Sequence, residues 1–93
     1  MKNELLILIP TYNEIGNVEE ILTQILGLEL PADILFIDDN SPDGTGDKLE
    51  QLAEKYSNIS VSHRKGKIGI GSAHVDGINF AYNHSYRLLL TMD

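Results

Sequence analysis

Five consecutive aliphatic residues, Leu5-Leu6-Ile7-Leu8-Ile9, stop at Pro10. An unbroken apolar run of that length, closed by a residue without an N–H, is how a strand buried on both faces of a parallel sheet reads. A one-sided strand would alternate. The pattern then recurs: Ile34-Leu35-Phe36-Ile37 is a second apolar run, closed by Asp38-Asp39-Asn40-Ser41. Between the two, Val18, Ile21, Leu22, Ile25 and Leu26 fall at helical spacing, with Asn17 and Glu20 placed as a capping box and Gly27 and Pro31 marking the exit. Pro42, Asp43, Gly44 and Gly46 form a dense turn, followed by a second amphipathic segment through Leu49, Leu52, Ala53 and Tyr56. Ile59 to Ser62 alternates like a more exposed strand, Ser72 to Asn83 predicts a third helix, and Tyr86 to Met92 a fourth strand with Asp93 at its carboxyl end.

The expected architecture is therefore an α/β unit over residues 1–93, an open and mostly parallel sheet in β-α-β-α-β-α-β order. Ligands of such sheets bind beyond the carboxyl ends of the strands, where strand order reverses. Those ends carry Thr11 to Glu14, Asp38 to Asp43, His63 to Gly71, and Asp93.

Charge narrows the ligand. Seven Lys and Arg against fourteen Asp and Glu give a formal net charge of −7, which argues against a nucleic-acid partner because no basic stripe neutralises phosphates. An acidic chain that handles phosphate needs a cation, a helix N-terminus or basic residues from elsewhere. There are no cysteines, so disulfides and thiolate metal sites are excluded and a reducing compartment fits. The run at Leu5 to Ile9 is too short for a signal sequence or a membrane span.

Of the adjacent carboxylates Asp38 and Asp39, one is placed to accept hydrogen bonds from a base or ribose edge and the other to brace the loop, although paired acids at a strand end are also ordinary turn residues. Pro10-Thr11-Tyr12-Asn13-Glu14 offers a rigid strand exit, an aromatic face for stacking and a carboxylate for imino and amino protons; its blander reading makes Tyr12 partly core and Glu14 a helix turn. Asp43 and Thr45 could each be only a helix cap. The loop Arg64-Lys65-Gly66-Lys67-Ile68-Gly69-Ile70-Gly71 suits either diphosphate contact or a solvated turn, and it is neither a Walker loop nor a dinucleotide fingerprint. His63, His74 and His84 lack metal-ligand spacing.

Taken together, Pro10 to Glu14, Ile37 to Thr45, Arg64 to Ala73 and Met92-Asp93 resemble the start of the dolichol-phosphate mannose synthases within inverting glycosyltransferase family 2, of GT-A fold, over the whole chain. The resemblance implies nucleotide-sugar contacts at Pro10, Tyr12, Glu14, Ile37, Asp39, Lys67 and Asp93. It implies Mg²⁺ or Mn²⁺ bound by Asp93, the first acid of an Asp-Ala-Asp motif whose remainder would follow, so that a longer natural protein is expected. The catalytic residue is left unassigned. The implied reaction moves mannose from GDP-mannose to a polyprenyl (dolichyl) phosphate with inversion, on the cytoplasm or the cytoplasmic face of a membrane. Membrane association is expected through the acceptor or a C-terminal region. A UDP-sugar-dependent transferase acting on a lipid phosphate or polysaccharide keeps the same fold; a non-catalytic nucleotide-binding module is the alternative from another class. Asn40 stands where the family usually has Gly, and His74 where it has Tyr.

Overall fold

A computed structural model describes residues 3–65 and 70–92. Its elements follow in the order β1 (Leu5–Thr11), α1 (Val18–Gly27), β2 (Ala32–Asp38), α2 (Thr45–Lys55), β3 (Ile59–His63), α3 (Ile70–Asn83) and β4 (Leu88–Thr91). The four strands form one parallel sheet in the order β3-β2-β1-β4, so strand order reverses between β1 and β4.

β1 runs two residues past the apolar stretch, through Pro10 and Thr11, in register with Ile37 and Asp38. Pro10 is tolerated inside a central strand for a directional reason. Leu8 accepts from the Met92 N–H, so Leu8 and, two residues on, Pro10 face the β4 side, whose pairing stops at Thr91 opposite Leu8. The missing N–H therefore costs no ladder bond there.

Helices cover both faces. Ile7, Ile9, Ile34 and Phe36 pack with Val18, Leu22 and Ile25 of α1 and Leu49 and Leu52 of α2. Leu6, Leu8, Leu35 and Ile37 pack on the other face with Ala73 and Ala81 of α3. All seven residues of β2 are buried, which is why its sequence shows no alternation. α3 lies against β1 at Gly77, where an added Cβ would come 2.2 Å from Cδ2 of the fully buried Leu8.

Two local expectations change. Asn17 precedes α1 but makes no side-chain cap; its amide donates instead to Glu14 Oε2 at 3.0 Å, while the Asn17 and Val18 N–H groups bond the Glu14 carbonyl. The backbone before the helix thus turns on Glu14, and the capping box does not form. Asp33, which no sequence pattern singles out, is buried at the amino end of β2 and accepts from the Asn3 side chain at 2.8 Å and from the Tyr86 hydroxyl. Burial, reinforced by the bond to Asp33, pushes the Tyr86 phenol well above its ordinary range.

Candidate functional site

Parallel register brings Thr11, Asp38 and His63 side by side at the carboxyl edge of the sheet. Two loops leave that edge, Tyr12 to Asn17 after β1 and Asp39 to Gly44 after β2. Three consecutive backbone N–H groups of the first loop are caught by side chains of the second loop and of the first residue of α2: Asn13 donates to Ser41 Oγ at 2.9 Å, Glu14 to Thr45 Oγ1 at 2.9 Å and Ile15 to Asp43 Oδ2 at 3.2 Å. Asp43 also accepts the Thr45 N–H at 3.0 Å and the Thr45 hydroxyl. The Thr45 bond in particular holds the Asp43 carboxyl below its usual range. The Ser-Pro-Asp-Gly-Thr string therefore fastens one loop to the other, a role beyond helix capping.

The conformations needed are unusual and match the residue types. Gly44, the residue before α2, has φ +92°, and a Cβ there would meet Ile15 Cδ1 at 3.2 Å. Asn13 and Asn40 sit at φ 55° and 57°, the left-handed region that Asn tolerates better than most residues and Gly best of all. Asn40 thus serves a backbone position that Gly also fits.

The adjacent acids divide their work. Asp38 is only 2% exposed and accepts the Ser41 N–H at 3.0 Å, the Ser41 hydroxyl at 2.5 Å and the Thr11 hydroxyl at 3.1 Å. It braces the loop, as one of the pair was expected to do. Asp39 is gripped side-on by Arg64, with Nε on Oδ1 and Nη2 on Oδ2 at 2.9 Å. Arg64 Nη1 continues to Ser72 Oγ at 3.0 Å and Asp76 Oδ2 at 2.9 Å, both on α3. These acids, Asp39 foremost, raise the guanidinium further above its already high range. Arg64 thus turns inward and leaves the expected phosphate loop.

Among the expected contact residues, Pro10 and Glu14 line a groove with Thr11, Asn17, Glu20 and Ile21 along the start of α1. Tyr12 is half-buried between them in sequence. The Ile37 side chain is buried in the core under α3, and its carbonyl accepts from the Thr11 hydroxyl at 3.2 Å. Lys67 and Asp93 lie outside the described residues. Among the described residues no three acids or histidines could hold a metal ion together. His63 faces solvent, and its Nε2 lies 2.9 Å from Glu50 Oε1. Sequence reasoning missed Ser41 and Thr45 as fasteners and the pairing of Arg64 with Asp39. The first had a signal in the density of Ser, Asp and Thr around one Gly; the second spans 25 residues and had none.

Comparison with known proteins adds a consistent set of likenesses. The family described as glycosyl transferase family 2 matches the chain over residues 6–93. An undecaprenyl-phosphate mannosyltransferase of Micrococcus luteus is 38% identical over 88 residues, spanning 95% of this chain and 36% of that protein. A polyprenol monophosphomannose synthase of Mycolicibacterium smegmatis is 37% identical over 95% of this chain and 34% of its own length. A dolichol-phosphate mannosyltransferase of Pyrococcus furiosus is 38% identical over 81% of this chain and 22% of its own. The chain thus spans about a third or less of these relatives. A solved mannosyltransferase of Pyrobaculum calidifontis, in complex with GDP-Man and Mn²⁺, superposes with a TM-score of 0.72 at 25% identity, covering 90% of this chain and 25% of that one.

Proposed function

This chain belongs to glycosyl transferase family 2, and on that footing we propose that it binds the nucleotide of a nucleotide sugar, GDP-mannose, for transfer of mannose to a polyprenyl phosphate. The observation that carries the reading is the fastening of the two strand-end loops beside the point where strand order reverses, through the N–H groups of Asn13, Glu14 and Ile15. It holds the main chain at Tyr12 and Glu14 on a fixed frame, with the Asp39 N–H bonded to the neighbouring Thr11 carbonyl at 3.2 Å, and there a base would have an aromatic face to stack on and carboxylates as acceptors for its N–H groups. Relatives named for mannosyl transfer to polyprenyl carriers, and a fold neighbour holding GDP-Man, support both substrates.

In the proposed reaction a phosphate oxygen of the acceptor attacks the anomeric carbon, the bond to the nucleoside diphosphate breaks, and the sugar inverts. The acceptor phosphate is already ionised at neutral pH, so none of the carboxylates here is required as a general base. A divalent cation, Mn²⁺ as in the fold neighbour or Mg²⁺, would offset the charge of the departing diphosphate, with Asp93 as a ligand and Lys67 as a further contact. Such an acceptor places the work at a membrane surface; among the described residues no helix is long and apolar enough to cross one.

Calorimetric titration of the protein at its natural length with GDP, GDP-mannose and UDP-glucose, with and without Mn²⁺, tests the reading. Metal-dependent binding of GDP-mannose supports it. Preference for UDP-glucose overturns the substrate, and no binding of any nucleotide overturns the function.

A further inference from the structure

Asp39 and Arg64 form the most enclosed ion pair among the described residues, with side chains 10% and 7% exposed. The backbone prepares it: the Arg64 N–H bonds the Asp38 carbonyl at 2.8 Å, which sets the start of the arginine side chain beside the end of β2. The side-on fork takes one lone pair from each Asp39 oxygen. One acceptor position per oxygen remains, and the two diverge. On its far side the same guanidinium is held by Ser72 and Asp76, one helical turn apart on α3. Arg64 therefore has no freedom to let the carboxylate rotate.

We propose that Arg64 is a specificity-determining positioning residue, whose fork fixes the direction of the Asp39 carboxylate, so that the site takes nucleoside diphosphates whose base carries a ring N–H. This rests on the nucleotide-binding reading above and goes beyond it by naming what selects the base. Guanine and uracil offer a ring N–H; adenine and cytosine offer a ring nitrogen lone pair at the corresponding edge, which a fixed carboxylate repels. The selection fails if the carboxylate can turn.

The test compares Arg64→Lys, Asp76→Asn and Asp39→Asn in the protein at its natural length, titrated with GDP, UDP, ADP and CDP. Lysine keeps the charge and loses the fork. The quantity read is the affinity for the better of GDP and UDP divided by that for the better of ADP and CDP. Arg64→Lys is expected to lower this ratio about tenfold, the size of one misdirected charge-assisted hydrogen bond, approaching the ratio of Asp39→Asn. Asp76→Asn, changed at a half-exposed position, is expected to lower it about threefold with its unfolding midpoint little altered. In turnover the loss is expected in KM for the donor, with kcat within about twofold. A ratio preserved in Arg64→Lys while Asp39→Asn loses it overturns the positioning role and leaves Asp39 its function. Should Arg64→Lys not fold, an unchanged ratio in Asp76→Asn overturns the proposal alone. An equal loss for all four nucleotides also overturns it, because that is what a merely structural ion pair produces. If the unaltered protein binds none of the four, the nucleotide-binding reading itself fails.

Discussion

Gly44 carries a positive φ and faces Ile15, so any side chain there is strained twice, by the backbone and by contact. Gly44→Ala is expected to destabilise the chain by about 1–2 kcal/mol, read as a lower denaturant midpoint. Tyr86 makes the opposite kind of demand. Its neutral phenol donates to Asp33, and a raised pKa means that the folded state holds the proton more tightly than the unfolded state. Its contribution is complete below the ordinary phenol value of about 10 and is lost as pH rises beyond that toward the folded value. Tyr86→Phe is expected to cost about 1–3 kcal/mol at neutral pH, by leaving Asp33 short of a donor, and to remove part of the alkaline fall in stability. Asp43 works at the other end of the scale. Its depressed carboxyl contributes stability above its unfolded value near 4, lost as pH falls through the lower folded value. Asp43→Asn should flatten the acid limb of the unfolding curve.

Between elements, the closest approach is α3 over β1 at Gly77, and no side chain fits between that helix and Leu8. Gly77→Ala is expected to cost about 1–3 kcal/mol by forcing the helix off the sheet or Leu8 out of its rotamer, measurable by thermal unfolding. This contact was not legible in the sequence, because a glycine within a helical pattern looks the same whether it is tolerated or required. The strands and helices themselves were legible. Leu5 to Ile9 and Ile34 to Ile37 can satisfy so many adjacent apolar side chains only with a layer on each face, and the order of elements then follows. Boundaries moved where backbone direction, not side-chain character, decides them, as at Pro10 and Thr11 of β1 and at Tyr86, whose hydroxyl goes to Asp33 ahead of β4. The polar clusters lie at the carboxyl end of the sheet, and of the two acids Asp38 braces its loop while Asp39 pairs with Arg64. Their partners could not be read, since Ser41, Thr45 and Arg64 find them across loops whose shape only the fold supplies.

As a whole, the molecule has a covered side and an open one. Leu88 and Leu90 pair with Leu5 and Ile7 and share their face, yet remain 63% and 45% exposed, while Val75, Ile78 and Tyr82 form an outward apolar stripe along α3. Apolar surface beside a free strand edge favours association. The 93-residue chain alone is expected to self-associate at micromolar concentrations, and the double change Leu88→Glu, Leu90→Lys to return it toward monomer in sedimentation velocity. The strand-end loops behave differently, because Ser41, Asp43 and Thr45 hold the loop after β1 through its main-chain N–H groups. Fasteners that address backbone are indifferent to the side chains they carry. Asn13 is tied to its left-handed φ and Ile15 to its place over Gly44, whereas a library randomised at Tyr12 would display new recognition chemistry on an unaltered mount.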